Sequence, residues 1–256
     1  MSHARDYYPA MRATWRRTIR RVAIAASVLL LAGMAHAGEL ANFNGAVAAA
    51  YAHYRGAISY LRTGNVALAA FELDDMAAKW RDVTANYSDA TPDAFADETA
   101  WAPTLRSIGT RIDQALAAID AGQVEAALEA IAPIRDELAD LRERNGITVF
   151  SDRVNEVSAA MEALWVYRHG EPDLASAEVT RDIAAKTAVL AYLFGRCREQ
   201  APAAVREDAA FIRMIDGSEE GIKRMWRALD ERDQSLLVNT LRELRSFEQI
   251  LFLRFG

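Results

Sequence analysis

Two histidines, His53 and His169, and one cysteine, Cys197, are the side chains beyond residue 37 best suited to hold a metal or act as a nucleophile. His53 lies in AAAYAHYRGA, beside Tyr51, Tyr54 and Arg55. An imidazole there can line a pocket or ligate haem iron; the expected reading is a half-buried ring held by a hydrogen bond. His169 stands where a helix is predicted to end, and an imidazolium suits the negative end of a helix dipole. A lone Cys197 cannot form an internal disulfide. Its neighbours Arg196 and Arg198 would favour the thiolate at an exposed site. On a buried helix face it is a small apolar residue, and this is the reading adopted, with a reactive or dimer-forming thiol as the alternative.

The spacings that build common catalytic centres are missing. There is no H-E-x-x-H, no pair of E-x-x-H motifs and no cysteine cluster for zinc or iron–sulfur. There is no G-x-S-x-G elbow and no glycine-rich phosphate loop. Ser218, in GSEEG at 217–221, is read as part of a local helix break. The adjacent pairs Asp74-Asp75 and Glu219-Glu220 diverge on a helix and face water. Trp80, Trp165 and Trp226 each lie at helical spacing with other apolar residues and are expected in the core, while Tyr60 and Tyr167 are expected to be structural.

The elements that must position these residues read as helices. Apolar residues make up 52% of the chain while Gly (13) and Pro (6) are few, a balance that favours helix; no sustained alternation suggests a strand. Turn signals predict eight helices, at about 43–62, 66–87, 97–121, 123–144, 151–168, 174–199, 207–231 and 234–255. The loop SDATPDAFA occupies 88–96, Asn145-Gly146 caps the fourth helix, and Ser151 is the predicted N-cap of the fifth. In the fourth helix Ala127, Leu128, Ile131, Ile134, Leu138 and Leu141 step by three and four. In the eighth Leu237, Val238, Leu241, Leu244 and Leu251 do the same, giving each helix one apolar face. Phe247, Ile250, Phe252, Leu253 and Phe255 add further apolar faces, expected to pack on both halves of the molecule, with a homodimer surface as the alternative.

The halves resemble each other. At an offset of 110 residues Trp101 meets Phe211, Ile112 meets Ile222, Asp120 meets Asp230, and LRERNG at 141–146 meets LFLRFG at 251–256. At an offset of 107, DMAAK at 75–79 meets DIAAK at 182–186. A three-residue slip is absorbed by a loop. The expected architecture is all-α: a tandem duplication of an up-down four-helix bundle, with units at 38–148 and 149–256. A tetratricopeptide array is the rival, since YLRTGNVALAAF and AGQVEAAL resemble its turns. Turns at Gly64, Gly122, Gly170 and Arg232 are 58, 48 and 62 residues apart, however, and this rhythm suits long hairpins better than a repeat of about 34 residues.

Residues 1–37 read as a signal peptide. Arg12, Arg16, Arg17, Arg20 and Arg21 form the basic region, 22–34 is the apolar run, and Ala35-His36-Ala37 is the cleavage site. The run is short of the ~20 residues a span needs. The expectation is export to the periplasm or beyond, by the general or twin-arginine route, with no stable membrane span. Removing the segment takes away six Arg and one Asp, leaving 24 basic and 35 acidic residues and a net charge of −11. Such a chain is unsuited to nucleic acid, which requires clustered cations.

An exported bundle whose last helix runs SFEQILFLR at 246–254 resembles the class II cytochromes c, the cytochrome c-prime group. That resemblance implies haem attachment near the end of the fourth helix. Leu253-Arg254 stands where the family has its final pair, but Ser246, Gln249 and Ile250 replace the two cysteines and the histidine. In the first half Asp136, Ala139 and Asp140 occupy those places. The resemblance therefore implies a haem-free bundle. The function expected is a non-enzymatic binding or scaffold module for an envelope protein or small ligand, with no cofactor. The alternative is non-covalent haem b, for which His53, Met76 and Met161, then Met214 and Met225, are the possible ligands.

Overall fold

The computed structural model describes residues 38–169 and 172–256. The predicted signal peptide and cleavage site lie outside the described residues, as does Gly170. The other three predicted helix-joining turns are in place, each with a residue of positive φ: Gly64 (75°), Gly122 (71°) and Arg232 (54°); Gly146, past the fourth helix, is similar (67°). Glycine enters this region without a Cβ clash. Arg232 does so as a left-handed C-cap, its N–H bonded to the end of the preceding helix.

Every regular element among the described residues is helical. The helices are α1 (38–62), α2 (Val66–Tyr87), α3 (Trp101–Asp120), α4 (Val124–Ile131), α5 (Ile134–Arg144), α6 (Phe150–Trp165), α7 (Ala177–Gln200), the single turn α8 (Ala203–Arg206), α9 (Ala209–Glu231) and α10 (Gln234–Phe255). Short 3-10 turns occupy Asp93–Phe95 and Val166–Arg168. Asn65, Ser176, Asp208 and Asp233 cap the helices they precede through side-chain oxygens, satisfying N–H groups that the helix leaves free.

The sequence expectations fail in several places; the first helix begins at 38 rather than 43, and the sixth predicted helix at Ala177 rather than 174. The predicted fourth helix is broken into α4 and α5 at Ala132-Pro133, because proline lacks an N–H and crowds the preceding turn. The third starts at Trp101, not 97, with Glu98 accepting a hydrogen bond from the Ala100 N–H at 2.9 Å. Ser151 is not a cap: α6 begins one residue earlier, and the Val149 N–H donates to Asp152 Oδ2 at 3.0 Å. GSEEG does not break a helix. Residues 217–221 lie within α9, whose two glycines let α10 approach closely: a Cβ at Gly217 would sit 2.5 Å from Phe247 Cζ, and one at Gly221 2.6 Å from Leu244 Cδ2. Ser218 is buried there and donates to the Met214 carbonyl at 2.9 Å. Trp226 is 37% exposed rather than core.

The burial registers of the two halves coincide. Each buried position of α3, shifted by 110, lands on a buried position of α9, from Trp101 on Phe211 to Ile119 on Leu229. The same holds for α4 and α5 against α10. At 107, Val47, Ala50, Tyr51, Tyr54 and Ala57 of α1 land on the buried Val154, Val157, Ser158, Met161 and Leu164 of α6. The halves share one continuous core. Phe252 of α10 meets Tyr54 of α1 edge-on at 6.3 Å, and Phe255 meets Phe211 of α9 at 5.4 Å. The apolar excess of α10 thus packs on both halves, with Ile250 and Leu253 left about two-fifths exposed.

Candidate functional site

The residues singled out by chemistry mostly hold the fold together. His53 Nδ1 lies 2.8 Å from Glu72 Oε2 and 3.9 Å from Asp75 Oδ2, tying α1 to α2. Gly56 makes the room: a Cβ there would meet the Glu72 carboxyl carbon at 2.6 Å. His169 follows the 3-10 turn Val166–Arg168 as its C-terminal neighbour. Cys197 is fully buried, its Sγ 3.4 Å from the Arg153 carbonyl. Burial, then the nearby Glu156 charge, pushes its thiol up to about 12. Arg153 and Arg196 oppose the shift without overcoming it, and Arg198 is paired with Asp216 and Glu219. A thiol held protonated is a poor nucleophile.

Met76, Met161, Met214 and Met225 are buried in the core, on α2, α6 and, for the last two, α9. Neither they nor His53 line the clefts described below. Trp80 Nε1 donates to the Leu105 carbonyl at 3.0 Å, and Trp101 Nε1 to the Tyr87 carbonyl at 2.8 Å. Tyr167 donates to Asp182, which also takes Lys186 at 2.5 Å. Among the described residues no group of three or more His, Cys, Asp or Glu side chains is placed to hold a metal ion, and no helix is long and apolar enough to cross a membrane.

Two clefts open where the first half meets the second. One, of about 370 Å³, lies between α1 and α10. Ser246, Gln249 and Ile250, the positions that the cytochrome resemblance matches to haem attachment, line it, together with Arg62 and Glu248. Glu248 is only 3% exposed. Its Oε1 accepts from Ser158 Oγ at 2.5 Å, and its Oε2 carries no hydrogen bond but lies 3.3 Å from Arg245 Nη1. Burial raises its carboxyl above the ordinary range, opposed by Ser158 and Arg245.

The other cleft, of about 420 Å³, is bounded by α1, α5, the first residues of α6 and the end of α10. Val47, Phe150 and Phe255 supply apolar walls; Tyr51, Arg55 and Arg142 supply polar ones. Arg142 is buried and forks onto Asp152. Tyr51 donates to Asn155 Oδ1 at 3.3 Å, and burial pushes its phenol up to about 12 despite three nearby arginines, Arg135, Arg142 and Arg55. Arg55 stands 6.0 Å from the Tyr51 ring centroid, its Nε without a hydrogen-bond partner, and burial lowers its pKa. Arg55 was noted in the sequence only as a neighbour of His53. The signal was present: Val47, Tyr51 and Arg55 recur every four residues, which places a cation on an otherwise apolar face.

Compared with known proteins, the chain matches no family model, no curated protein and no solved structure.

Proposed function

We propose that this protein is an exported, non-enzymatic binding module, descended from a duplicated four-helix unit, that holds a small ligand where its two halves meet. The carrying observation is the cleft of about 420 Å³ between α1 and α5 on one side and α6 and α10 on the other. Its size and mixture of apolar walls with a few polar groups are those of small-molecule sites. The coincident burial registers support the duplication. The duplication explains the cleft's position, since two copies of a convex bundle leave a groove where they meet. The binding reading over an enzymatic one is supported by what the chemically capable groups do: the Cys197 thiol is buried and Ser218 bonds within its own helix. Docking to an envelope protein is the broader form of the same reading.

The test is to express the full chain with its own N-terminus in a bacterium with a periplasm, purify the exported form, and weigh it by native and denaturing mass spectrometry. The expected result is a chain beginning at Gly38 that carries a small molecule at a stoichiometry of one, lost on denaturation. An unprocessed chain retained in the cytoplasm would overturn the export reading. A ligand that the pure protein converts catalytically would replace the binding reading with an enzymatic one.

A further inference from the structure

Arg55 is the unusual residue of the larger cleft, and its counterpart in the other half shows why. Shifting by 107 places Arg55 on Glu162 and Tyr51 on Ser158; shifting by 110 places Arg135 on Arg245 and Leu138 on Glu248. In the second half these positions form a closed network. Arg245 Nη2 meets Glu162 Oε1 at 2.6 Å and Nη1 meets Glu248 Oε2 at 3.3 Å, with Ser158 on the far carboxylate oxygen. In the first half neither carboxylate exists. Arg135 turns to the adjacent Asp136 at 3.3 Å, and Arg55 has no carboxylate within ion-pair distance among the described residues. A half-buried cation without a counter-ion is costly.

Arg142 is forked onto Asp152, which leaves Arg55 as the unpaired charge of the cleft. No Asp or Glu lines it. Phe150 and Ser151, the first two residues of the 16-residue α6, do line it, so the positive end of that helix dipole faces the cleft, as does the negative end of α10 at Phe255 and Gly256. The positive charge of Arg55 runs against the chain's overall charge of −6, and an unpaired cation in a cleft attracts ligands of opposite sign.

We propose that this cleft binds a small organic acid, its carboxylate taken by Arg55 and the start of α6 and its apolar body lying against Val47, Phe150 and Phe255. The guanidinium fork matches a carboxylate in two-point contact, and the ligand supplies the counter-ion that Arg55, standing where the second half has Glu162, lacks. This rests on the small-ligand reading above.

The experiment is isothermal titration of the full exported protein, freed of co-purified ligand by unfolding and refolding, with octanoate, benzoate, octanamide and inorganic phosphate. Octanoate or benzoate is expected to bind at a stoichiometry of one, while octanamide binds at least about tenfold more weakly, as the loss of one charge-assisted contact implies. Arg55→Gln is expected to weaken the acids by a similar factor, and Arg55→Lys to restore part of the loss, with the helical circular dichroism of both variants unchanged. Octanamide binding as well as octanoate, or Arg55→Gln leaving the acids unaffected, would overturn the proposal even if a ligand still co-purifies from the cell. Phosphate binding as tightly as octanoate would overturn the apolar part of the assignment. No binding of either acid, alongside a co-purifying neutral molecule, would refute the anion inference and leave the small-ligand reading standing.

Discussion

The second half of the molecule closes its charges and tightens its last helix pair; the first half leaves a cation open and breaks its last helix. Glu248, Arg245 and Ser158, with the half-exposed Glu162 at the rim, form a connected network in the second, where the first has Leu138, Arg135, Tyr51 and Arg55. Gly217 and Gly221 let α10 lie close on α9, whereas Pro133 splits the equivalent of α10 into α4 and α5. Both versions keep the same buried positions. The register is therefore set by the apolar stripe, which tolerates a kink or a close approach so long as the same residues meet the core. What differs is the polar chemistry at the seam between the halves, and this is where the clefts lie.

The sharpest way to break the comparison is Glu248→Ala. It strands Arg245, 10% exposed as a side chain, with only the half-exposed Glu162. A loss of about 3–5 kcal/mol in unfolding by urea is expected, the usual cost of orphaning a buried charge. A loss below ~1 kcal/mol would mean that the network behaves like a surface ion pair and that the halves do not differ as described. The glycines come next. Gly221→Ala forces a methyl against the buried Leu244 and is expected to cost about 1–3 kcal/mol. Gly217→Ala meets the far end of the ring of the half-buried Phe247, which is less confined than the buried Leu244, so the helix propensity gained is expected to offset more of the strain. Thermal melts should rank Gly221→Ala as the more damaging; the reverse order would contradict the packing.

The smallest effect is in pH. The folded state raises the Glu248 carboxyl above its ordinary value of 4.5. Folding therefore holds that proton more tightly than the unfolded chain does, and the associated stability is present in acid and lost as pH rises through the folded value. The stability of wild type relative to Glu248→Gln should fall as pH rises from about 4 to about 7. A relative stability that rises over that window would mean that Arg245 outweighs burial.

Much of this fold can be read from residue order alone. The steps of three and four in 127–141 and 237–251 gave helices with the correct faces, and Gly64, Gly122 and Gly146 marked ends that need a left-handed residue. Pro133 was misjudged because the apolar spacing runs through it, from Ile131 to Ile134, as if nothing had happened. GSEEG was misjudged for the opposite reason: glycine's poor helix propensity argues for a break, but a close neighbour in space gives it a role. Propensity concerns the isolated chain, and packing overrides it where two helices bury a common face.

The candidate site was the least legible part. Attention fell on His53 and the methionines because haem and metal chemistry require such ligands. They proved to be a clamp on Glu72 and four core residues. Arg55 was visible as a cation on an apolar face, yet whether it had a counter-ion was not, because that counter-ion would come from a helix about a hundred residues away.

The sequence by itself determined the helices, their apolar faces and the correspondence between halves, since each follows from local periodicity and turn chemistry. Tertiary structure alone decided which charges are neutralised and which are left open. Charge pairing depends on distance through space and on removal from water, and both are set only when α1 and α5 come to lie against α6 and α10.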